Sequence, residues 1–476
     1  MRAVAAVDLG ATSGRVVVGY VGQDELRLRH VARFPNRPVR THEGDASALH
    51  WDILELHRAL MHGLSGALRE EPGIVSIGVD SWAVDYGLLR GGRLLGSPYH
   101  YRDERTARGV ADVHARIDAE ELHGRNGLQH LPFTTLYQLA AERDVVALAD
   151  RALLVPDLIG YWLTGVEATE ITNASTTGLL DPRTRTWDAE LLARLDLPRG
   201  ILAPLIEPGA RLGTLLPAVA AELDAPPDLG VVAVGSHDTA SAVVAVPFTG
   251  DDVAYISSGT WSLVGLELEE PVITPASRAA NFTNEGGVDG RIRFLKNVSG
   301  LWLLSESIRT WERSGESVDL RGLLAEAAAV RGRTTTFDAS DERFVAPGDI
   351  PGRIVEWCVE HDAAPPRTRA EFVRAILESL AEAYATTLEQ ASALSGRRID
   401  TVHVVGGGSQ NELLCQLTAD RTGRTVLAGP VEATAIGNVL VQARAQGLVS
   451  GSLESLRSLV LRTYPPVRYR PAQPTR

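Results

Sequence analysis

The sequence predicts an α/β protein made of two copies of one domain that face a central cleft. Length is the first observation: at 476 residues the chain exceeds the ~250–300 residues at which single hydrophobic cores stop growing. The second is an echo between its halves, each opening with strand, Gly/Ser/Thr turn, strand. The third is that each half later carries a long helix and then a strand ending in small polar residues. The expected domains are 1–246 and 247–476.

In chain order, Val4 to Leu9 and Val16 to Val21 read as two strands joined by Gly10-Ala11-Thr12-Ser13-Gly14-Arg15, a hairpin and not a strand–turn–helix unit. Ala48 to Leu68 reads as a helix with Asp52 early in it, and Ile74 to Val79 as a short buried strand ending at Asp80. Val113 to Leu122 and Thr135 to Leu148 read as helices, followed by a strand at Ala152 to Val155. The proline-bearing stretches Ala203 to Pro217 and Ala225 to Pro227 are connections. Val231 to Gly235 is a strand with Ser236-His237-Asp238-Thr239 at its end, and Ala240 to Ala245 continue as a helix. The second half begins near Pro247, with strands at Val253 to Ser257 and Trp261 to Leu268 around Ser258-Gly259-Thr260. Phe372, Ile376, Leu380 and Tyr384 recur at helical spacing, which predicts a helix over Arg369 to Leu394. Thr401 to Val405 is a strand running into Gly406-Gly407-Gly408-Ser409-Gln410-Asn411, and Leu413 to Thr422 a helix.

Composition excludes several function classes. A formal net charge of −13 opposes a general nucleic-acid binder, which needs a cationic face. It does not oppose a nucleotide substrate, which backbone N–H groups, a few arginines and Mg²⁺ can hold. Cys358 and Cys415, the only cysteines, are too few for a disulfide framework or a cysteine zinc site. Asp8 interrupts the N-terminal apolar run, so no signal peptide is read there. No window approaches the ~20 apolar residues of a membrane span, and a cytoplasmic enzyme is expected. Lys296 is the sole lysine. Without a Gly-Lys-Ser/Thr sequence, a P-loop is excluded. H-E-x-x-H and G-x-S-x-G are absent as well.

Four segments carry chemistry. The turn after Asp8 offers N–H groups and hydroxyls at one point, a concavity that suits terminal phosphates. Asp8 at the strand end suits Mg²⁺, which takes oxygen ligands. On this segment alone, a plain hairpin explains the residues equally well. Ser258-Gly259-Thr260 repeats the pattern, with the same alternative. Gly406-Gly407-Gly408 fails G-x-G-x-x-G because Asn411 holds the last position; its glycines serve either close approach of adenosine or tight strand–helix packing. Asp238 stands at a strand's carboxyl end, the usual ligand side of an open α/β sheet. A carboxylate with a reference pKa near ~3.9 can orient an alcohol for phosphoryl transfer. A helix N-cap accounts for Asp238 just as simply.

These segments together resemble the FGGY-type carbohydrate kinases of the actin-like ATPase fold. The resemblance rests on Ala6 to Arg15, Ser76 to Asp85, Tyr101-Arg102-Asp103, Leu131-Pro132-Phe133, Thr135 to Leu139 and Thr172-Asn173-Ala174. It continues through Ser236 to Ala242, Ser257 to Leu263, Asn284-Glu285-Gly286-Gly287, Leu295-Lys296-Asn297, Val405 to Asn411 and Ala428 to Ala433. It implies two actin-like (ribonuclease H-like) domains, and ATP-dependent phosphorylation of a small sugar with Asp238 as proton acceptor. Within the family the pattern is most similar to members that phosphorylate L-rhamnulose at C1, in L-rhamnose catabolism. By this similarity Ala11, Thr12, Ser13, Gly14, Arg15, Thr260, Ser305 and Gly407 contact ATP. Ala83, His237, Asp238, Thr239 and Asn297 contact the sugar, and Asp8 serves Mg²⁺. The chain departs from the family pattern at Ala83, where glycine is usual, and at Ser305, where relatives carry a longer glutamine.

The cycle this implies begins with sugar fixed in the cleft and Mg²⁺-ATP gripped between the two turns. Domain closure then excludes water. No partner beyond sugar and ATP is expected, in a monomer or homodimer. The alternatives are a kinase of another ketose, such as L-fuculose or L-xylulose, and a chaperone-type ATPase on the same scaffold. A sugar-sensing repressor would need a helix-turn-helix arm, which the opening hairpin does not supply.

Overall fold

All seven residues of Ala3–Leu9 (β1) are buried, as expected of a strand paired on both edges and covered on both faces. A computed structural model describes residues 2–315, 317–332 and 334–472 of the chain. β1 pairs antiparallel with Ser13–Val21 (β2), and β2 with Leu26–Pro35 (β3). On its other edge β1 runs parallel to Ile74–Ser81 (β4). Arg211–Thr214 (β5) and Gly230–Val232 (β6) complete the sheet, β6 parallel to β4 and antiparallel to β5. The order is β5-β6-β4-β1-β2-β3.

The second sheet repeats this plan. Val253–Ser258 (β7) and Trp261–Leu268 (β8) form an antiparallel hairpin. Ile292–Ser299 (β9) lies beside β8. Thr401–Val405 (β10) runs parallel to β7, Thr425–Ala428 (β11) parallel to β10, and Val467–Tyr469 (β12) antiparallel to β11. Thus β2-β1-β4-β6-β5 and β8-β7-β10-β11-β12 share both order and direction. The echo read in the sequence is a repeated topology, that of an actin-like α/β unit.

The chain divides into two units, one of Met1–Pro247, Glu267–Phe294 and Ala433–Thr463, the other of Phe248–Leu266, Leu295–Glu432 and Tyr464–Arg476. A single cut near Pro247 assigns 267–294 and 433–463 to the second half. Specific contacts tie both segments to the first unit. Arg457 donates to the Glu267 carboxylate (2.8 Å) and the Val243 carbonyl (3.1 Å). From the helix Ala433–Ala445, Gln442 donates to the Ala5 carbonyl (3.0 Å) and accepts from Ser76 Oγ (2.7 Å). No helix among the described residues is long and apolar enough to cross a membrane.

Several elements differ from the sequence reading at their ends. The first long helix is Ile53–Glu70, with Asp52 as N-cap accepting from the Glu55 N–H (3.2 Å). Ala46–Trp51 is instead a strand paired with Pro38–Glu43. The stretch read as one helix over Val113 to Leu122 spans the end of Thr106–His114 and the start of Ala119–Asn126, where Asp118 caps the Glu121 N–H (2.8 Å). Thr135–Ala141 and Arg143–Val146 are likewise separate, because Glu142 leaves the helical conformation. β6 ends at Val232, not Gly235. Arg369–Ser395 is a single helix closed by a Thr368/Glu371 capping box, a reciprocal pairing that stops fraying.

The helix Asp238–Val244 packs on Ala433–Ala445 so closely that a Cβ at Gly437 would stand 1.8 Å from the Ser241 carbonyl oxygen. Gly437→Ala therefore forces these helices apart at a cost of ~1–3 kcal/mol, as overpacking does. A Tm several degrees below wild type by calorimetry is expected, whereas Gly124→Ala, at a helical position facing open space, shifts it less.

Candidate active site

The register of β1 decides what meets at its carboxyl end. Asp8 stands opposite Arg15 on β2 and opposite Asp80 on β4. Arg15 holds the Asp8 carboxylate from Nε (2.8 Å) and Nη2 (2.7 Å). Asp80 is buried and accepts from Asn438 Nδ2 at 2.6 Å, while its Oδ1 has no hydrogen-bond partner. Burial first, then the charge of Asp8, push the Asp80 carboxyl well above the usual carboxylate range; Asp238 adds to the rise, and Asn438 and Arg15 oppose it. Three carboxylates thus converge where two parallel strands end, on the ligand side of such a sheet.

Asp238 is the accessible one of the three. Its side chain is 31% exposed, whereas Asp8 and Asp80 are buried. It is the first residue of its helix and the N-cap position belongs to His237, so capping does not account for it. Thr239 Oγ1 donates to Asp238 Oδ1 at 3.1 Å. A parallel bridge from His237 to Ser81 and a bond from the Ser81 N–H to the Ser236 carbonyl (2.9 Å) fix the segment beside β4. Buried Glu170 accepts from the Ser236 N–H and Oγ, both at 2.9 Å, and from the Thr172 N–H at 2.9 Å.

The turn between β1 and β2 closes through the Gly10 N–H to the Ser13 carbonyl (2.9 Å), and Asn36 clasps it from Nδ2 to the Gly10 carbonyl (2.9 Å). Thr12 is exposed; Ala11, Ser13 and Arg15 are half-buried. A Cβ on Gly14 would lie 2.3 Å from the Phe34 ring, so a larger residue there would have to displace that ring.

Ala83 is half-buried and precedes Val84, which has φ +67°, a strained value for a β-branched residue. Thr135 Oγ1 holds the Val84 carbonyl at 2.7 Å. Buried Asp85 accepts from Trp51 Nε1 (2.6 Å), Trp82 Nε1 (3.0 Å), Gln138 Nε2 (2.8 Å) and the Tyr101 N–H (3.1 Å). Burial outweighs these donors and pushes the Asp85 carboxyl up to about 6. Strain held by surrounding bonds is characteristic of ligand-contacting segments.

Thr260, Asn297, Ser305 and Gly407 lie in the second unit. Its turn is braced by the Leu301 N–H to the Gly259 carbonyl (2.9 Å) and the Trp302 N–H to the Thr260 carbonyl (3.2 Å). A Cβ on Gly300 would meet the Thr260 carbonyl oxygen at 2.7 Å, and one on Gly408 the Ser258 Oγ at 2.0 Å. Gly406 has φ +81°. These three glycines serve backbone packing, whereas the Cβ position of Gly407 has no atom within 4 Å and leaves room for a flat group. Ser305 is exposed on the helix Trp302–Arg313, and Asn297 and Lys296 are half-buried on β9. Burial lowers the Lys296 ammonium below its usual value, against the pull of Asp338.

The sequence reading assigned no role to Asp80, Glu170, Glu285, Arg293 or Asn438, although Asp80 and Glu285 fall in quoted stretches. The signal that could have found Asp80 was its place at a strand end like that of Asp8. Asn438 and Arg293 carry no local signal for these contacts, because Asp80 and His237 lie 358 and 56 residues away from them.

Residues 3–245 match the N-terminal domain, and residues 254–446 the C-terminal domain, of the FGGY family of carbohydrate kinases. The chain belongs to this family. A rhamnulokinase of Bacteroides thetaiotaomicron is 41% identical over 471 residues, covering 98% of this chain and 95% of that protein. A rhamnulokinase of Pectobacterium carotovorum subsp. carotovorum is 41% identical over 480 residues, covering 99% and 93%. Among solved structures, a ligand-bound xylulose kinase from Lactobacillus acidophilus superposes with a TM-score of 0.79 at 17% identity, covering 99% of this chain and 94% of that one. Plasmodium falciparum glycerol kinase with ADP gives 0.76 at 15% identity, covering 99% and 94%. These superpositions establish the shared fold.

Asp85 yields a prediction about pH. Its folded-state pKa is raised, so the stability linked to its proton is full below about 4 and is lost as pH rises through about 6. The displacement corresponds to about 3 kcal/mol. Comparing Tm for wild type and Asp85→Asn from pH 4 to 8, we expect the wild type to fall relative to the variant across that window. Parallel curves would contradict the buried, proton-binding hub.

Proposed function

We propose that this FGGY kinase transfers the γ-phosphoryl group of ATP to the C1 hydroxyl of L-rhamnulose, giving L-rhamnulose 1-phosphate and ADP. The observation that carries the chemistry is Asp238, a half-open carboxylate close enough to raise the buried Asp80 carboxyl, which stands opposite Asp8 at the strand end that runs into the Gly/Ser/Thr turn. The choice of sugar follows the rhamnulokinase relatives, which are similar over nearly the whole chain.

In this reading Ala83, His237, Thr239 and Asn297 orient the ketose with Asp238. Ala11 to Arg15 receive the terminal phosphates through backbone N–H groups, the Thr12 and Ser13 hydroxyls and Arg15. Thr260, Ser305 and Gly407 serve the nucleotide, with Gly407 passing its adenosine side. Asp238 accepts the C1 hydroxyl proton as the O1–Pγ bond forms and the bond from Pγ to the β,γ-bridging oxygen breaks. ADP leaves with that oxygen. The transition state asks for positioning and charge stabilisation more than covalent chemistry.

Among the described residues no group of three or more His, Cys, Asp or Glu side chains is arranged to hold a metal ion. Asp8 and the unpartnered Oδ1 of Asp80 nevertheless fit Mg²⁺ that takes most of its ligands from phosphate and water. They would hold it, and the ion would supply charge neutralisation at the β- and γ-phosphates.

Asp238→Asn is expected to lower turnover of L-rhamnulose with Mg²⁺-ATP by ~10²–10⁴, the usual cost of losing a general base, with the circular dichroism spectrum unchanged. Near-normal ADP release by this variant in a coupled assay would refute the base assignment. Assayed across a ketose panel, the wild type should give its highest kcat/KM with L-rhamnulose, and preference for L-fuculose or L-xylulose would reassign the sugar. Gly407→Val should raise the KM for ATP roughly tenfold, a loss of about 1.4 kcal/mol, and leave the sugar KM unchanged.

A further inference from the structure

Behind His237 lies a buried ion pair that the reaction as described does not use. Arg293 is 0% exposed, and its Nη1 stands 3.1 Å from Glu285 Oε2. Its Nε donates to the Gly286 carbonyl at 2.9 Å. Its Nη2 lies 3.0 Å from His237 Nδ1. On the far side of the ring, His237 Nε2 stands 3.4 Å from Asp238 Oδ1. Glu285 and Arg293 thus cluster at the Nδ1 side of the His237 ring, and the half-open Asp238 carboxylate faces Nε2.

A guanidinium only donates. Its N–H toward Nδ1 therefore requires a lone pair on that nitrogen, and the ring proton then sits on Nε2. Glu285 Oε2 is also near Nδ1, at 3.4 Å, and would favour the opposite tautomer by accepting from an Nδ1–H. Arg293 is nearer to Nδ1 and is itself paired with that carboxylate, so the arrangement selects the Nε2–H form. The hydrogen bond at one ring nitrogen sets the state of the other.

We propose that Arg293, held by Glu285, is a positioning residue that locks His237 as the Nε2–H tautomer and aims this N–H at Asp238 Oδ1. Thr239 Oγ1 donates to the same oxygen at 3.1 Å, so the His237 N–H, facing it from 3.4 Å, acts with that bond to set the carboxylate's orientation. This rests on the reading of Asp238 as the base. It gives the buried residues of the Asn284-Glu285-Gly286-Gly287 stretch a role in catalysis without contact with substrate.

The test combines ¹⁵N-histidine NMR of the full chain with steady-state kinetics, the His237 signals being assigned by their loss in His237→Gln. In the wild type the Nδ1 signal should fall in the range of an unprotonated acceptor, with Nε2 protonated. Arg293→Met should shift the ring toward Nδ1–H and lower kcat by ~10–100-fold, the usual effect of removing a partner that orients a functional histidine, with the KM for ATP unchanged. Arg293→Lys, which still donates, should restore part of kcat. A wild-type Nδ1–H tautomer would overturn the proposal even if the arginine variants do not fold. So would a folded Arg293→Met with kcat within about twofold of wild type. Substantial turnover by Asp238→Asn would instead refute the base assignment, and the wild-type tautomer would stand as a separate result.

Discussion

The parallel pairing of β1 with β4 in the register that sets Asp8 against Asp80 is the constraint on which the candidate site depends. A shift of one residue would turn every side chain of β1 to the other face and break the meeting of Asp8 with both Arg15 and Asp80. The register is held by fully buried side chains along β1 and β4, where a slip would expose apolar surface or bury the wrong groups. Burial first, and then the charge of Asp8, raise the Asp80 carboxyl above its usual range, and it needs the amide of Asn438.

That need explains a feature of the chain's course. The helix Ala433–Ala445 belongs to the first unit although nearly two hundred residues separate it from Pro247. It brings Asn438 to Asp80, and Gln442 to Ser76 and Ala5. Its close approach to the Asp238 helix, permitted by Gly437, couples the backbone under Asp238 to the same strands. The buried polar groups form a connected network, in which each donor has a place and each loss would strand a partner.

The two units use one topology for different ends. In the first, the space after β4 takes a long insertion that brings the aromatic hub around Asp85, with Val84 held at positive φ. In the second, the corresponding strand β10 runs at once into Gly406-Gly407-Gly408, and glycines at 300, 406 and 408 allow backbone to pack against backbone. The first unit thus concentrates charge and hydroxyls, and in this stretch of the second Gly407 is left uncrowded.

Read by itself, the sequence determined the repeated α/β plan, both Gly/Ser/Thr hairpins, the long helix at Arg369 and the segment Ser236 to Thr239 as chemistry-bearing. These are local: turn residues, helical spacing and buried runs are written in contiguous stretches, and the family resemblance rests on the same stretches. Helix starts at Ile53 and Ala119 were misplaced because the capping acids Asp52 and Asp118 resemble ordinary helix residues until the bond to the backbone is seen. Only the tertiary structure decided that Asp238 is not a helix cap, that Asp80 joins Asp8 and that the first unit recruits two returning segments. It alone set Arg293 behind His237. These are contacts between residues far apart in the chain, and burial, which gives an ion pair or a carboxylate its effect, is a property of the fold and not of any stretch of sequence.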